Sequence, residues 1–225
     1  SQEELACLQP YNASMGLMLE SCARLDAHLD SPGKDPGLRL EHIACAGRLN
    51  IPFTTGILVG IGESRWDRIQ SLQAIARLHA GFGHIQEVIV QPFDPKPKTA
   101  MASFPRPREE ELLWTVRMAR ELLPGEVAVQ APANLAEPLA LVEAGADDLG
   151  GISPVTRDEI NPNSPWPREE ELKGSLLPHE LKERLPVYPR FIERGWHGRK
   201  TRELTALLAG EDGLRRKSIS SRACW

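Results

Sequence analysis

Phe53-Thr54-Thr55-Gly56-Ile57-Leu58-Val59-Gly60-Ile61-Gly62-Glu63 is a β-type run, Phe53 to Ile61, that ends in a glycine-marked turn. The pattern then changes period. From Arg65 to about Leu78 the apolar residues Ile69, Leu72, Ile75, Ala76 and Leu78 gather near one face of a helix. Strand, tight turn and amphipathic helix make one βα unit, and the unit repeats in both directions. Upstream, Asn12 to Glu20 reads as a strand, Asp30 to Gly37 as a loop, and Arg39 to Leu49 as a helix. Downstream come a strand at Ile85 to Phe93, a loop of about 14 residues at Asp94 to Pro107, and a helix at Arg108 to Leu123 that opens on three glutamates. Glu126 to Ala131 is a further strand, Glu137 to Ala144 a short helix stopped by Gly145, and Asp147 to Ser153 a last short strand. About five βα units predict an α/β fold of parallel strands with right-handed crossovers, in a barrel or an open doubly wound sheet. Five are too few for a closed eight-stranded barrel and the right number for its carboxy-terminal half.

Beyond Ser153 the rhythm fails. Residues 154–213 read as a carboxy-terminal extension wrapped over the domain formed by 1–153, with a helix expected at Pro178 to Leu185 and short helices at Arg190 to Gly195 and Thr201 to Leu208. Residues 214–225, with Arg215, Arg216 and Lys217, read as a solvated tail.

The 225 residues carry 27 basic and 31 acidic side chains, a net charge of −4, so the basic excess of a general nucleic-acid binder is missing. Hydrophobic residues at 41% and charged residues at 26% fit a globular protein rather than a disordered or fibrous one. No apolar stretch approaches the roughly 20 residues of a membrane span, and Ser1 to Pro10 has no signal-peptide core, so a cytoplasmic location is expected. The chain begins on serine, which leads us to expect a natural start further upstream. Cys7, Cys22, Cys45 and Cys224 show no CxxC or CxxxCxxC spacing, which argues against both a disulfide framework and a complete metal site in these residues.

In a parallel βα fold a ligand site gathers at the carboxyl ends of the strands, which selects Glu20, Gly60 to Glu63, Gln91 to Thr99, Gln130 to Asn134 and Asp147 to Pro154. Glu20 ends an otherwise apolar strand and needs a cation or an amine. Arg39, entering the next helix, reaches the same rim, and the two would suit the amino and carboxylate groups of an amino-acid moiety or make a structural ion pair. The G-x-x-x-G-x-G spacing of Gly56, Gly60 and Gly62 is not a dinucleotide fingerprint, and its glycines mark a tight turn or a close ligand approach.

Three stretches carry a resemblance: Asn12 to Ser21 (NASMGLMLES), Ile51 to Glu63 with its GxLxGxxE element, and Gly145 to Pro167 (GADDLGGISPVTRDEINPNSPWP). Together they resemble the radical S-adenosylmethionine enzymes and, more narrowly, the G-type subunits of the deazaflavin synthases, over Ser1 to about Trp196. The resemblance implies a partial barrel whose rim holds S-adenosylmethionine over a 4Fe-4S cluster. It implies that Glu20 and Arg39 bind the methionine end of the cosubstrate, that Thr55, Leu58 and Ile61 line its adenosine side, and that Gly60 leaves room for the adenine. Gln91, Asn134, Asp147, Asp148, Asn161 and Trp166 become candidates for touching the organic substrate. Asp147 or Asp148 capping backbone amides, and Asn161 forming a turn, are the plainer readings. The substrate would be an adduct of a hydroxybenzyl group and 5-amino-6-ribitylaminouracil, delivered by an H-type (CofH-type) subunit, and closed to the deazaflavin of coenzyme F-420 biosynthesis. The family's cluster needs three closely spaced cysteines, and Cys7, Cys22 and Cys45 lie 15 and 23 residues apart. The cluster ligands are therefore expected in an amino-terminal part outside these residues, and the 225-residue chain is expected to be inactive by itself. Another radical S-adenosylmethionine enzyme, of the H type or a menaquinone-pathway relative, and a half-barrel that only binds a ligand or partner are the alternatives.

Overall fold

In a computed structural model, which describes residues 1–153, 155–156, 158–159 and 161–216, the repeating unit is present as a parallel sheet backed by helices. After α1 (Gln2–Leu8) come β1 (Met15–Gly16), α2 (Pro36–Arg48), β2 (Phe53–Val59), α3 (Arg65–Phe82), β3 (Ile85–Pro92), α4 (Glu109–Leu122), β4 (Ala128–Gln130) and α5 (Pro138–Glu143). The extension adds α6 (Glu169–Ser175), α7 (Pro189–Glu193) and α8 (Arg202–Leu208). Strand order is β1-β2-β3-β4 with every pairing parallel. Order in space follows order in sequence, without the reversal that marks a doubly wound sheet, and is compatible with the wall of a partial βα barrel. None of the described helices is long and apolar enough to cross a membrane.

The first two sheet-backing helices start where the sequence provides a side-chain cap. Asp35 accepts from the Leu38 N–H ahead of Pro36, and Ser64 with Asp67 forms a capping box before α3. Gly83, at φ +66°, ends α3 in the left-handed conformation. Helices α2, α3 and α4 pack side by side on one face of the sheet, over Phe53, Ile57, Val59, Val88 and Val90, all nearly or fully buried. The register pairs Thr54 with Glu87, Gly56 with Ile89 and Leu58 with Gln91, and these alternate positions look the other way, onto the inner face. Gly56 is required there: a Cβ would sit 2.3 Å from the Ile89 carbonyl oxygen.

Three expected elements differ. Asn12 to Glu20 is ladder-paired only at Met15 and Gly16, with a second contact where Glu20 bridges Ile57, because Glu20 itself turns to φ +66°. Asp147 to Ser153 is reduced to one bridge, Gln130 to Asp148. Pro178 to Leu185 is not helical; the helix lies earlier, at α6, and 178–185 carries no regular structure, with Arg184 reaching Glu87 on the sheet. Lys217 and the rest of the expected tail through residue 225, Cys224 included, lie outside the described residues.

His84, fully buried between α3 and β3, contacts the Ile43 carbonyl through Nε2 at 3.0 Å and lies against the rings of Phe53 and Phe82. Burial pushes its pKa down to about 4. The unfolded chain binds a proton near pH 6.5 that the folded chain refuses, so stability is lost as pH falls from about 6.5 to 4, by up to ~3 kcal/mol. Denaturant titrations at pH 7.5 and pH 4.5 are expected to show this loss, and His84→Gln to flatten it; an unchanged slope in the variant would assign the acid sensitivity elsewhere.

Candidate functional site

Three groups of side chains stand at the carboxyl ends of the strands. The first surrounds Glu20, which is 8% exposed. Its carboxylate meets Lys34 at one oxygen, His28 Nε2 at 2.9 Å on the other, and Arg39 Nη1 at 3.5 Å. Arg39 also holds the Met18 carbonyl and, through Nε at 2.9 Å, the Gly33 carbonyl, which ties the loop before α2 to the end of β1. Burial lowers the His28 pKa, so the imidazole is neutral at pH 7. One carboxylate against Lys34 and Arg39 leaves a net positive charge in a half-enclosed corner. Such a corner accepts a zwitterion, its ammonium on Glu20 and its carboxylate on the cations. Glu20 and Arg39 were legible in the sequence as a pair; His28 and Lys34 were not, because short 3-10 turns at Asp26–His28 and Pro32–Lys34 carry them.

The second group is the turn after β2. Glu63 is buried and accepts from the N–H groups of Gly60 (2.8 Å) and Ile61 (2.7 Å), and from Arg68 Nε (2.7 Å). Arg68 continues to Glu111 and Thr115 on α4. The glutamate of the GxLxGxxE element thus holds the backbone in its left-handed glycines, Gly60 at φ +96° and Gly62 at φ +103°. The expected adenosine-side residues do not share one face. Leu58 is half-buried on the inner face, whereas Thr55 is fully buried with Phe53 and Ile57 on the helix side and Ile61 is 3% exposed in the core. At Gly60 the space foreseen for an adenine is taken by the Pro107 ring, 3.0 Å from where a Cβ would stand. The loop 94–107 folds back over the turn.

The third group joins the loops after β3 and β4 to the segment after Asp148. Lys96 contacts Asp94 and donates to Asn161 Oδ1 at 2.8 Å. Asp158 accepts from the Asn161 N–H (2.9 Å), from Asn161 Nδ2 (3.0 Å) and from Asn134 Nδ2 (3.0 Å). Asp94 also pairs with Arg106. Beside this chain of contacts lies a cavity of about 290 Å³ lined by Phe93, Asp94, Arg106, Pro107, Leu135 and Ala136 among others. Gln91 is half-buried on the inner face, and Trp166 is half-buried in the extension.

Asp147 and Asp148 are held elsewhere. Asp147 accepts from Arg120 Nη1 (2.6 Å) and the Val129 N–H (3.0 Å), a backbone cap on the helix side of the sheet. Asp148, Glu87, Arg184 and Tyr188 form one buried network near the amino ends of the strands. Arg184 donates to Glu87 (2.7 Å) and both oxygens of Asp148, and the Tyr188 hydroxyl lies 2.7 Å from Asp148 and 3.1 Å from Glu87. Burial raises the Glu87 pKa, and burial with the two carboxylates raises that of Tyr188. Asp148 also caps the Gly150 N–H at 2.7 Å, so its oxygens are occupied by the protein itself. Each of the two carboxylates thus holds a backbone amide, Asp147 that of Val129 and Asp148 that of Gly150, the arrangement of the capping reading.

Among the described residues no three His, Cys, Asp or Glu side chains converge on a metal position. Cys7 is exposed, Cys22 half-buried and Cys45 buried, and these three do not fit an iron-sulfur cluster.

No protein-family model matches the chain. It is 54% identical over 217 residues, 96% of its length, to the 7,8-didemethyl-8-hydroxy-5-deazariboflavin synthase of Methanosarcina barkeri, covering 67% of that protein. The same name is carried by relatives from Methanococcoides burtonii, 54% identical with 66% of that protein covered, and Archaeoglobus fulgidus, 53% identical with 67% covered. In each case the match spans about two thirds of the relative and nearly all of this chain. On that identity and coverage the chain belongs to the 7,8-didemethyl-8-hydroxy-5-deazariboflavin synthase family.

Proposed function

We propose that the chain is the larger, carboxy-terminal part of a deazaflavin synthase of the radical S-adenosylmethionine type, acting in the cytoplasm on the hydroxybenzyl adduct of ribitylaminouracil handed over by an H-type subunit. The observation that carries this reading is the identity of more than half of all residues, across 96% of the chain, to proteins of that name. The Glu20 corner supports it, since a buried carboxylate beside two cations fits the ammonium and carboxylate of a methionine moiety. S-Adenosylmethionine, when bound, supplies a radical that takes a hydrogen atom from the substrate. The chain's own residues bind and orient: Glu20 and Arg39 fix the amino-acid end, Leu58 and Gln91 offer an inner surface above it, and the turn clamped by Glu63 sets the height of the rim. The loop 94–107 keeps water from the reacting face. The thiolates of an iron-sulfur cluster would lie in a segment outside these 225 residues, with residues 1–153 the second half of the barrel and 154–213 its cover.

Anaerobic reconstitution tests this. The chain by itself is expected to take up no stoichiometric 4Fe-4S cluster and to form no deazaflavin from the adduct. Joined to the remaining third of the Methanosarcina barkeri relative, it is expected to do both. A joined enzyme that carries its cluster and cleaves S-adenosylmethionine yet makes no deazaflavin would sink the assignment.

A further inference from the structure

Among the described residues, the side-chain oxygen of Asn134 has no donor to accept from. Its Nδ2 has two hydrogens, and both are used, on Asp158 at 3.0 Å and on the Ser164 carbonyl at 2.9 Å. Turning the amide over would set its oxygen against a carboxylate and a carbonyl, so the orientation is fixed by its neighbours. Asn134 Oδ1 is thereby held at one place, enclosed and without a donor. A buried unpaired acceptor is unfavourable, and one held in place by two other hydrogen bonds is suited to a ligand N–H or O–H.

Next in the same network stands Lys96, whose ammonium has three hydrogens. Two of its contacts are Asp94 and Asn161, which leaves a hydrogen for a further acceptor. The two residues come from the loops after β3 and β4, at the rim, and the cavity of about 290 Å³ touches both loops at Asp94 and Leu135. One fixed acceptor and one spare charged donor, joined through Asn161 and Asp158, are the two kinds of group that a planar edge alternating N–H with C=O calls for.

We propose that Asn134 Oδ1 and Lys96 Nζ read the imide edge of the pyrimidinedione ring in the synthase's substrate and product, Asn134 accepting from the ring N–H and Lys96 donating to a flanking carbonyl. The inference rests on the proposed function for the presence of that ring, and on the structure for which residues meet it. Asp158 and Asn161 are positioning residues: they hold the Asn134 amide and the Lys96 ammonium and do not touch the ligand. Discrimination follows from chemistry, because a site built around a hydrogen bond rejects the analogue that lacks the hydrogen.

The test uses the chain joined to the remaining third of the Methanosarcina barkeri relative, called wild type here, and two probes followed by fluorescence: the deazaflavin product and the same molecule methylated at the imide nitrogen. Wild type is expected to bind the parent at least about tenfold more tightly than the methylated probe. Asn134→Ala is expected to lose that preference, and Lys96→Met to weaken both probes about tenfold while keeping it. Equal binding of the two probes by wild type, a preference that survives in Asn134→Ala, or unchanged affinity in Lys96→Met would overturn the proposal while leaving the reaction in place. Binding of neither probe by wild type would overturn the reading of the function, and this assignment with it.

Discussion

Glu63→Ala is expected to destabilise the chain by about 3–5 kcal/mol, the usual result of removing one partner from a buried ion pair. The side chain is 1% exposed and its partner Arg68 6%. Truncation leaves the guanidinium with only Glu111 and Thr115, without its buried partner, and frees the Gly60 and Ile61 amides, which lose their acceptor in the same step. Glu63→Gln keeps the shape and one acceptor oxygen, and is expected to lose less. Urea midpoints for the three proteins at pH 7 decide the matter. A Glu63→Ala protein within about 1 kcal/mol of wild type would mean that the turn holds without its clamp, and that the glutamate of the motif has another purpose.

Arg184→Met is the second large effect. Arg184 is the cation that compensates Glu87 and Asp148, which lie on different strand positions and are both nearly buried. Its loss leaves two carboxylates facing each other with one tyrosine hydroxyl between them, again about 3–5 kcal/mol at neutral pH. The pH dependence gives the result its signature. Burial already raises the Glu87 pKa, and removing the guanidinium raises it further above the unfolded value. A carboxylate with a raised folded pKa stabilises below its unfolded pKa and loses that contribution as pH rises, so the deficit of Arg184→Met should be smaller at pH 5 than at pH 8. A deficit independent of pH would show that lost packing over the Tyr188 ring, 4.6 Å away, dominates instead.

The rhythm of the sheet could be read from the chain because each βα unit is encoded locally. Apolar alternation, a cap such as Ser64 and a stop such as Gly83 all act within a few residues. Even the displacement of Thr55 was encoded, since it shares parity with Phe53 and Ile57 rather than with Leu58. The helix α1 carries its own signature as well, Ser1 and Glu4 forming a capping box. What could not be read depends on distant partners. Pro178 to Leu185 has the composition of a helix, yet Arg184 is drawn out by Glu87, 97 positions away, and local preference yields to that pairing. Lys34 and His28 reach Glu20 through irregular turns that leave no periodic trace. Asp148 falls in a stretch selected for function, and its ties to Arg184 and Tyr188 come from residues 36 and 40 positions away that no local pattern announces.

That late arrival bears on how the protein is made. Strand β3 closes its lower edge with residues far downstream: Gln86 Nε2 donates to the Pro186 carbonyl, Arg190 to the Ile85 carbonyl and Arg184 to Glu87, across 97 to 105 positions. At a synthesis rate of about 5–20 residues per second, β3 emerges from the ribosome roughly 5–20 s before the segment that completes it. During that interval Glu87 and Gln86 stand open to water on an unfinished wall, and the long loop that must close makes the final step slow compared with the pairing of neighbouring strands. The extension is therefore the last piece to fold, and a nascent chain stopped short of Arg184 would expose a sheet whose polar floor has no partner.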